Sequence, residues 1–313
     1  MDVAEIGSFH IGGGNVALRG RPPRRMVLTK GAPPVDFPVD GDFEVGQMYV
    51  QYVRLAAPRA RYPLLLWHGG GMTGATWETT PDGRPGWHGL FLAAGHDVYV
   101  SDAVERGRAG WARFPEIYPE EPHVRSKQEC WDLFRFGPPG TRIAYPRQQF
   151  PVEVFDQFAK QIVPRWVCND ALTQAAYDAL VHHVGPCVIV THSQSGNFGY
   201  RAALNAPDLV KGVIAIEPSG APDPAVEPIA PLRAVPHLLI WGDYLAGDAF
   251  WQGLMPAAER YRAALAGQGG VADVLDLPAR GIRGNSHFPM MDRNNAEVAA
   301  LVQDWMGGQG LMR

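Results

Sequence analysis

The stretch that most constrains the fold of this chain runs from Cys187 to Gly196. Its first four residues are apolar and predict a buried strand, whereas the run from Phe198 to Asn205 is compatible with a helix. Small and polar residues lie between the two, so a serine occupies a sharp turn from strand to helix. This arrangement is typical of a nucleophile elbow, in which the turn exposes a serine hydroxyl.

Two serines compete for the central position of this turn. If Ser193 is central, Thr191 and Ser195 are the small flanking residues that the tight turn requires. If Ser195 is central, Asn197 falls at the crowded last position, where it fits poorly. We therefore predict Ser193 as the nucleophile. The alternative is an ordinary serine-rich loop in which neither serine reacts.

Composition is that of an ordinary globular protein, with 46% hydrophobic and 19% charged residues. A net charge of -4 gives no reason to expect nucleic acid or an anionic membrane as a partner. The three cysteines are widely spaced and predict neither a disulfide framework nor a metal site. The chain begins without the features of a signal peptide, and no apolar run is long enough to cross a bilayer, so a cytoplasmic protein is expected.

The order of strand and helix patterns predicts an α/β fold with a mostly parallel central sheet and helices on both faces. The chain opens with antiparallel strands: Ser8–Ile11 and Asn15–Leu18 indicate a hairpin around Gly12–Gly14, and Gln47–Leu55 alternates clearly. The apolar run Tyr62–Trp67 is then of the parallel, fully buried type. Later strands are predicted at 96–102, 210–218, 235–243 and 271–277, and helices at 86–94, 126–134, 152–163, 170–183, 255–266 and 295–305.

The alternation lapses after the strand at 96–102, where aromatic residues mix with proline, arginine and glutamate. We predict one domain over residues 1–313, with an inserted cap at about 104–186. The cap's aromatic side chains are expected either to line a substrate pocket or to form the cap's own small core.

A second informative segment, His68 to Gly74, follows the apolar run Tyr62–Trp67. Glycine lets backbone N–H groups face a developing negative charge without a side chain in the way. Gly70, with Gly71 as second choice, is the predicted oxyanion donor of this loop. The other predicted donor is the N–H of Gln194, the residue after the nucleophile. A simple strand-to-helix turn is the alternative.

A serine hydroxyl needs a histidine base, and the histidine needs a carboxylate to orient it. His287 lies between the last predicted strand and the closing helix, which is the expected place for the base. Two acids end neighbouring strands, Glu217 directly after the elbow helix and Asp243 one strand later. Position alone does not choose between them.

Several uncommon sequence strings carry a resemblance that covers most of the chain, and this resemblance decides between the two acids. The chain resembles the α/β-hydrolase superfamily, and within it a small branch of atypical bacterial carboxylesterases with a Ser–Glu–His triad whose acid follows the sixth strand. The strings that carry the resemblance are 47–52, 76–83, 134–138, 149–152, 192–196, 217–218, 284–287 and 292–295.

The resemblance implies Ser193 as nucleophile, Glu217 as acid and His287 as base, and leaves Asp243 as the alternative acid. It implies hydrolysis of a small-molecule carboxylic ester or lactone through an acyl-enzyme, without a metal or organic cofactor. It is also compatible with a homodimer. Where the studied esterase has two adjacent cysteines in the oxyanion loop, this chain has Gly70 and Gly71, and that esterase is exported.

Other functions share these residues. A serine hydrolase for an amide, thioester or carbon–carbon bond, or an acyltransferase, would use the same triad. A non-catalytic binding protein on the same fold is a further alternative, although the intact triad disfavours it.

Overall fold

The computed structural model of the protein describes residues 1–112 and 114–313. Its strands, in chain order, are β1 (Val3–Leu18), β2 (Arg24–Met26), β3 (Val35–Phe37), β4 (Gly41–Leu55), β5 (Leu64–Trp67), β6 (Val98–Asp102), β7 (Cys187–His192), β8 (Val210–Ile216), β9 (His237–Trp241) and β10 (Ala272–Asp276). Its α-helices are α1 (Ala75–Glu78), α2 (Trp87–Ala94), α3 (Lys127–Leu133), α4 (Phe155–Ala159), α5 (Asp170–Val184), α6 (Ser195–Asn205), α7 (Ala249–Gly267) and α8 (Asn295–Gly308).

Eight of these strands form one sheet in the order β1-β4-β6-β5-β7-β8-β9-β10. The pairs β1–β4 and β4–β6 are antiparallel, and from β6 to β10 every neighbouring pair is parallel. The predicted fold class is therefore confirmed. Crossovers between parallel strands require helices on the faces of the sheet, and they bring the carboxyl ends of β5, β7, β8 and β9 to one edge.

The central strands are buried on both faces, which explains their continuous apolar sequences. Leu64 and Leu66 of β5 contact one hydrophobic core, whereas Leu65 and Trp67 contact the core on the opposite face. The sheet is thus a rigid partition between two cores, and it fixes the positions of the loops at its edge.

The predicted N-terminal hairpin is wrong. Val3 to Leu18 form one strand that pairs with β4 along its whole length, from Val3–Leu55 to Leu18–Gly41. Gly12 and Gly13 have φ of 72° and 80°, but they do not form a turn. A Cβ at Gly13 would lie 2.6 Å from the carbonyl oxygen of Val45, so glycine allows close contact between strands here.

Two helices also differ from their predicted bounds. The predicted helix 152–163 is limited to a 3-10 turn, Val152–Val154, and to α4. Helix α7 begins six residues before the predicted start at Met255, because Asp248 caps it by accepting hydrogen bonds from the N–H groups of Phe250 and Trp251.

Among the helices that the structure describes, none combines the length and the apolar character needed to cross a membrane.

Candidate active site

Ser193 lies in a strained turn between β7 and α6. Its φ of 56° is unusual for a residue other than glycine. The Ser193 N–H donates to the carbonyl oxygen of Ile216 (2.9 Å), and its carbonyl accepts from the N–H of Ser219 (3.1 Å). These bonds to the chain around the end of β8 hold Ser193 at the carboxyl edge of the sheet, as a nucleophile elbow requires.

The neighbouring Ser195 has a different environment. Its hydroxyl is buried, donates to the carbonyl oxygen of Trp67 (2.8 Å) and accepts from the N–H of His192 (2.9 Å). Ser193 lines a cavity of about 70 Å³, whereas Ser195 is not among the residues that line it. The structure therefore leaves only Ser193 of the two candidate serines facing a cavity.

Glu217 and His287 form a fully buried pair. His287 Nδ1 lies 2.6 Å from Glu217 Oε2, and both side chains are 0% exposed. The other carboxylate oxygen of Glu217 accepts from the N–H of Gly242 at 2.8 Å. Because His287 lines the same cavity as Ser193, the three predicted triad residues meet at one edge of the sheet.

The alternative acid, Asp243, is engaged elsewhere. Its carboxylate accepts from the N–H groups of Tyr244 (2.8 Å) and Gly284 (2.9 Å). Among the described hydrogen bonds none joins Asp243 to His287. The structure thus places Glu217 beside His287. Asp243 instead holds the loop that precedes His287, through its contact with Gly284.

The glycine loop after β5 lies against the elbow. A Cβ at Gly69 would be 2.8 Å from His192 Nδ1 and 3.1 Å from Ser193 Cβ, so a side chain there would displace one of them. Within the described part of the chain, the N–H groups of Gly70, Gly71 and Gln194 have no hydrogen-bond acceptor. Gln194 is also the N-cap of α6, where the helix dipole favours negative charge.

Comparison with known proteins gives the same fold. No family model matches the chain. A solved structure described as that of a novel bacterial esterase is 33% identical, covers 98% of this chain and 96% of its own, and superposes with a TM-score of 0.83. The chain belongs to the α/β-hydrolase superfamily. A probable secreted lipase, phiG, of Fungal sp. (strain ATCC 74256) is 28% identical over an alignment that spans 87% of this chain and 89% of the lipase.

Sequence reasoning missed the residue that neutralises the buried acid of this hydrolase. Arg135, which is 1% exposed, forms an ion pair through Nη2 with Glu217 Oε1. Its Nε donates to the carbonyl oxygen of Asp243 at 2.9 Å. Arg135 lies within the segment between β6 and β7, so this segment supplies a charge to the sheet edge.

The surroundings shift the pKa values of both Glu217 and His287. Burial alone would raise the pKa of Glu217, but the charge of Arg135 and the hydrogen bond from His287 outweigh it and lower that pKa to about 2. Burial lowers the pKa of His287, and its contact with Glu217 only partly opposes this shift. Near neutral pH the acid is therefore ionised and the histidine neutral, as a general base must be.

Aromatic rings hold the imidazole of His287 in place. Phe134 stacks on it with ring centroids 5.5 Å apart and planes 9° apart, and Trp251 lies 4.3 Å away on α7. His192 Nε2 donates to the carbonyl oxygen of His287 at 2.8 Å. Among the described residues, His287 Nε2 is buried without a hydrogen-bond partner. That nitrogen is therefore available to a group within the cavity.

A polar network fixes the loop that carries His287. The buried carboxylate of Asp292 accepts from the amide of Asn285 (2.9 Å) and from the N–H (2.8 Å) and hydroxyl (2.7 Å) of Ser286. The sequence string 292–295 indicated similarity here, but no role for Asp292. Its contacts show that it supports the residues just before the histidine.

Proposed function

We propose that this hydrolase is a serine esterase that cleaves carboxylic esters or lactones through an acyl-enzyme. The observation that carries the proposal is the buried Glu217–His287 pair, which shares a cavity with Ser193. The names of the bacterial esterase and the fungal lipase support an ester as substrate.

In the proposed reaction, His287 Nε2 takes the proton of Ser193 Oγ as that oxygen attacks the ester carbonyl carbon. Glu217 stays ionised and stabilises the imidazolium that forms. The tetrahedral oxyanion accepts hydrogen bonds from the N–H groups of Gly70 and Gln194, with Gly71 as the second choice in the loop. Donors of this kind are each worth about 3 to 4 kcal/mol of barrier.

The tetrahedral intermediate then collapses. The bond to the alcohol oxygen breaks, His287 gives its proton to that oxygen, and the alcohol leaves. Water attacks the acyl-enzyme with His287 again as base, and the carboxylic acid and the free Ser193 hydroxyl are released.

The residues that line the cavity support an ester with an apolar part. Leu133, Phe134, Phe250 and Trp251 supply an apolar side. Leu133 and Phe134 come from the segment 104–186, which we propose acts as a cap over the reacting groups. The aromatic residues at 134, 136, 150, 155 and 158 of this segment also pack on one another and belong to the hydrophobic core that contacts Leu64 and Leu66 of the sheet.

The two serines of the elbow give a direct test. We expect Ser193→Ala to lower kcat/KM for a p-nitrophenyl ester by at least about 10³-fold, because the nucleophile is removed. Ser195→Ala should lower the melting temperature more than the turnover, since Ser195 bonds two backbone groups and does not line the cavity.

A fluorophosphonate probe completes this test, with mass spectrometry of the labelled peptide. Labelling of Ser193 is expected. Near-normal turnover in Ser193→Ala, with loss in Ser195→Ala, would reverse the assignment of the nucleophile. An unlabelled, folded protein without esterase activity would favour a binding protein on this fold.

A further inference from the structure

Two arginines line the cavity of Ser193, an unusual feature for a site that takes a neutral ester. Arg165 lies beside Gly70 and Arg125 beside Gly71, and none of the described residues that line the cavity is acidic. Arg125 is neutralised by an ion pair with Glu129. The charge balance of the cavity therefore depends on Arg165.

Arg165 has no counter-charge within hydrogen-bonding distance. In the described part of the chain its guanidinium takes part in no ion pair and no hydrogen bond, and its Nε is buried without a partner. The other arginines of this region differ, because Arg106 is paired with Glu105 and Arg108 with Asp102. An N–H group that is buried without an acceptor is costly, and a ligand in the cavity can supply that acceptor.

The structure holds this side chain beside the oxyanion loop. Arg165 and His123 exchange two backbone hydrogen bonds (2.8 and 3.0 Å), and the N–H of Val163 donates to the carbonyl oxygen of Gly71 (2.9 Å). Arg165 Nη1 lies 3.0 Å from the point that a Cβ on Gly70 would occupy. The absence of a side chain at Gly70 thus leaves the guanidinium open toward the reacting groups.

Arg165 also borders a second, open groove of about 330 Å³. This groove shares Gln194 and Ser219 with the cavity of Ser193, and it is otherwise lined by small residues together with Asn197, Phe198 and the acidic Asp170. A group that is attached to the scissile ester can therefore extend past Ser219 and lie against the guanidinium.

We propose that Arg165 binds a carboxylate of the substrate, so that the preferred substrates are esters that carry a free carboxylate. A planar guanidinium binds a carboxylate through two parallel hydrogen bonds, which gives direction as well as charge. The inference rests on the proposed esterase function and names its substrate class.

The test compares esters that differ in one charge. For the acyl half, p-nitrophenyl hydrogen adipate is compared with p-nitrophenyl heptanoate. For the alcohol half, 3-acetoxybenzoate is compared with 3-methylphenyl acetate. We expect kcat/KM to favour the charged ester in at least one pair, and the preference to shrink as salt is added, because salt screens the attraction.

The variant Arg165→Met removes the charge with little change in length. We expect it to lower the ratio of kcat/KM, charged over neutral, by about 10- to 100-fold, as the loss of a charge-assisted hydrogen bond implies. Arg165→Lys should recover part of the ratio. Arg233→Met is the matched control: Arg233 is exposed and does not line the cavity, so the ratio should not change.

Inhibition of the unaltered protein gives a measurement that does not depend on the folding of a variant. Adipate should inhibit turnover of the neutral ester more strongly than 1,6-hexanediol does. The proposal is overturned if neither charged ester is preferred and adipate does not inhibit. It is also overturned if Arg165→Met lowers kcat/KM equally for both esters of a pair. Such a result would indicate that Arg165 stabilises the oxyanion or has a structural role.

Different results contradict the proposed function and the proposed role of Arg165. Turnover that persists in Ser193→Ala contradicts the proposed function whatever the charge of the ester. Turnover that depends on Ser193 but ignores the carboxylate contradicts only the role of Arg165.

Discussion

Arg135 and Glu217 form an ion pair that combines a strained backbone with the burial of two charges. Both residues have positive φ, 59° and 44°, and both side chains are almost completely buried. A buried ion pair is weak evidence for stability, since well-packed apolar residues of similar volume often do as well. Strain and desolvation together at one place point to function. The function that the contacts indicate is to keep the proposed acid ionised beside His287.

We expect Arg135→Met to change both the pH dependence of turnover and the stability of the protein. Loss of the guanidinium removes a positive charge that lowers the pKa of both Glu217 and His287. Both pKa values should rise, so the acidic limb of the kcat/KM profile should move to higher pH. We also expect kcat to fall by about 10²-fold and the protein to be destabilised by about 3 to 5 kcal/mol, because a buried carboxylate loses its partner.

Arg142→Met is the control for this prediction. Arg142 also belongs to the segment between β6 and β7, but it lies over the rings of Trp131 and Phe155, 4.7 and 4.2 Å from their centroids. The variant Arg142→Met should leave the pH dependence of kcat/KM unchanged. A purely structural role for Arg135 would appear as reduced stability with an unchanged profile, and would contradict the prediction.

The sequence could identify Ser193, Glu217 and His287 as candidates because each follows a strand or lies in a recognisable loop. It could not identify Arg135, which is separated from Glu217 by 82 positions and belongs to a segment without clear periodicity. Arg165 was missed for the same reason. An arginine in an irregular segment gives no local signal of the cavity that it reaches.

Helix α6 packs on β7 and β8 through glycine contacts. A Cβ on Gly196 would lie 2.5 Å from Pro218 Cβ, and a Cβ on Gly199 would lie 2.5 Å from Thr191 Cγ2. These distances are shorter than a side chain allows, so the helix can approach the sheet only where glycine stands. The approach fixes the start of α6, and with it Ser193 and the N–H of Gln194.

Gly199→Ala should therefore destabilise the protein, although alanine is a better helix former. We expect a loss of about 1 to 3 kcal/mol from overpacking, and lower kcat as the elbow shifts. Gly253→Ala in α7 is the matched control, because a Cβ there meets nothing within 4 Å. It should stabilise by about 0.5 to 1 kcal/mol. Urea unfolding of both variants measures the contrast, and equal effects would contradict it.

Element type was easier to predict than element extent. Continuous apolar runs such as Leu64–Trp67 have no other place than the middle of a parallel sheet. Glycines, by contrast, were ambiguous: Gly12–Gly14 has the composition of a turn, yet it continues a strand because β4 and α5 lie close to it. The competing partner is distant in sequence, so only the assembled sheet distinguishes a turn from close packing.

At the scale of the whole molecule, the two cores bury histidines that the folded chain keeps neutral. His68, His96, His192, His237 and His287 are each at most 3% exposed. Burial lowers the pKa of His68 and of His237 to about 4, and it lowers the pKa of His192 well below its ordinary value. Two of these rings also accept a hydrogen bond at Nε2, which protonation would abolish.

These shifts make stability depend on pH in a definite direction. A histidine with a lowered pKa in the folded state stabilises the fold above pH 6.5, and this contribution is lost as the pH falls toward 4. For His68 and His237 the loss is roughly 3 kcal/mol each, against a total stability of about 5 to 15 kcal/mol. Glu217, with its pKa of about 2, adds a further loss below pH 4.5. Asp292 and Glu105 act in the opposite sense, because burial raises the pKa of Asp292 to about 7 and also raises that of Glu105.

The free energy of unfolding in urea should therefore fall steeply from pH 6.5 to pH 4, since the five buried histidines outnumber the two buried acids with a raised pKa, Asp292 and Glu105. The slope should correspond to the uptake of more than one proton on unfolding. His237→Gln should reduce this slope by about one proton, because one buried ring no longer titrates. His182→Gln is the matched control, since His182 is exposed at the end of α5. A free energy that stays constant between pH 7 and pH 4 would show that the buried histidines do not govern the acid stability of the fold.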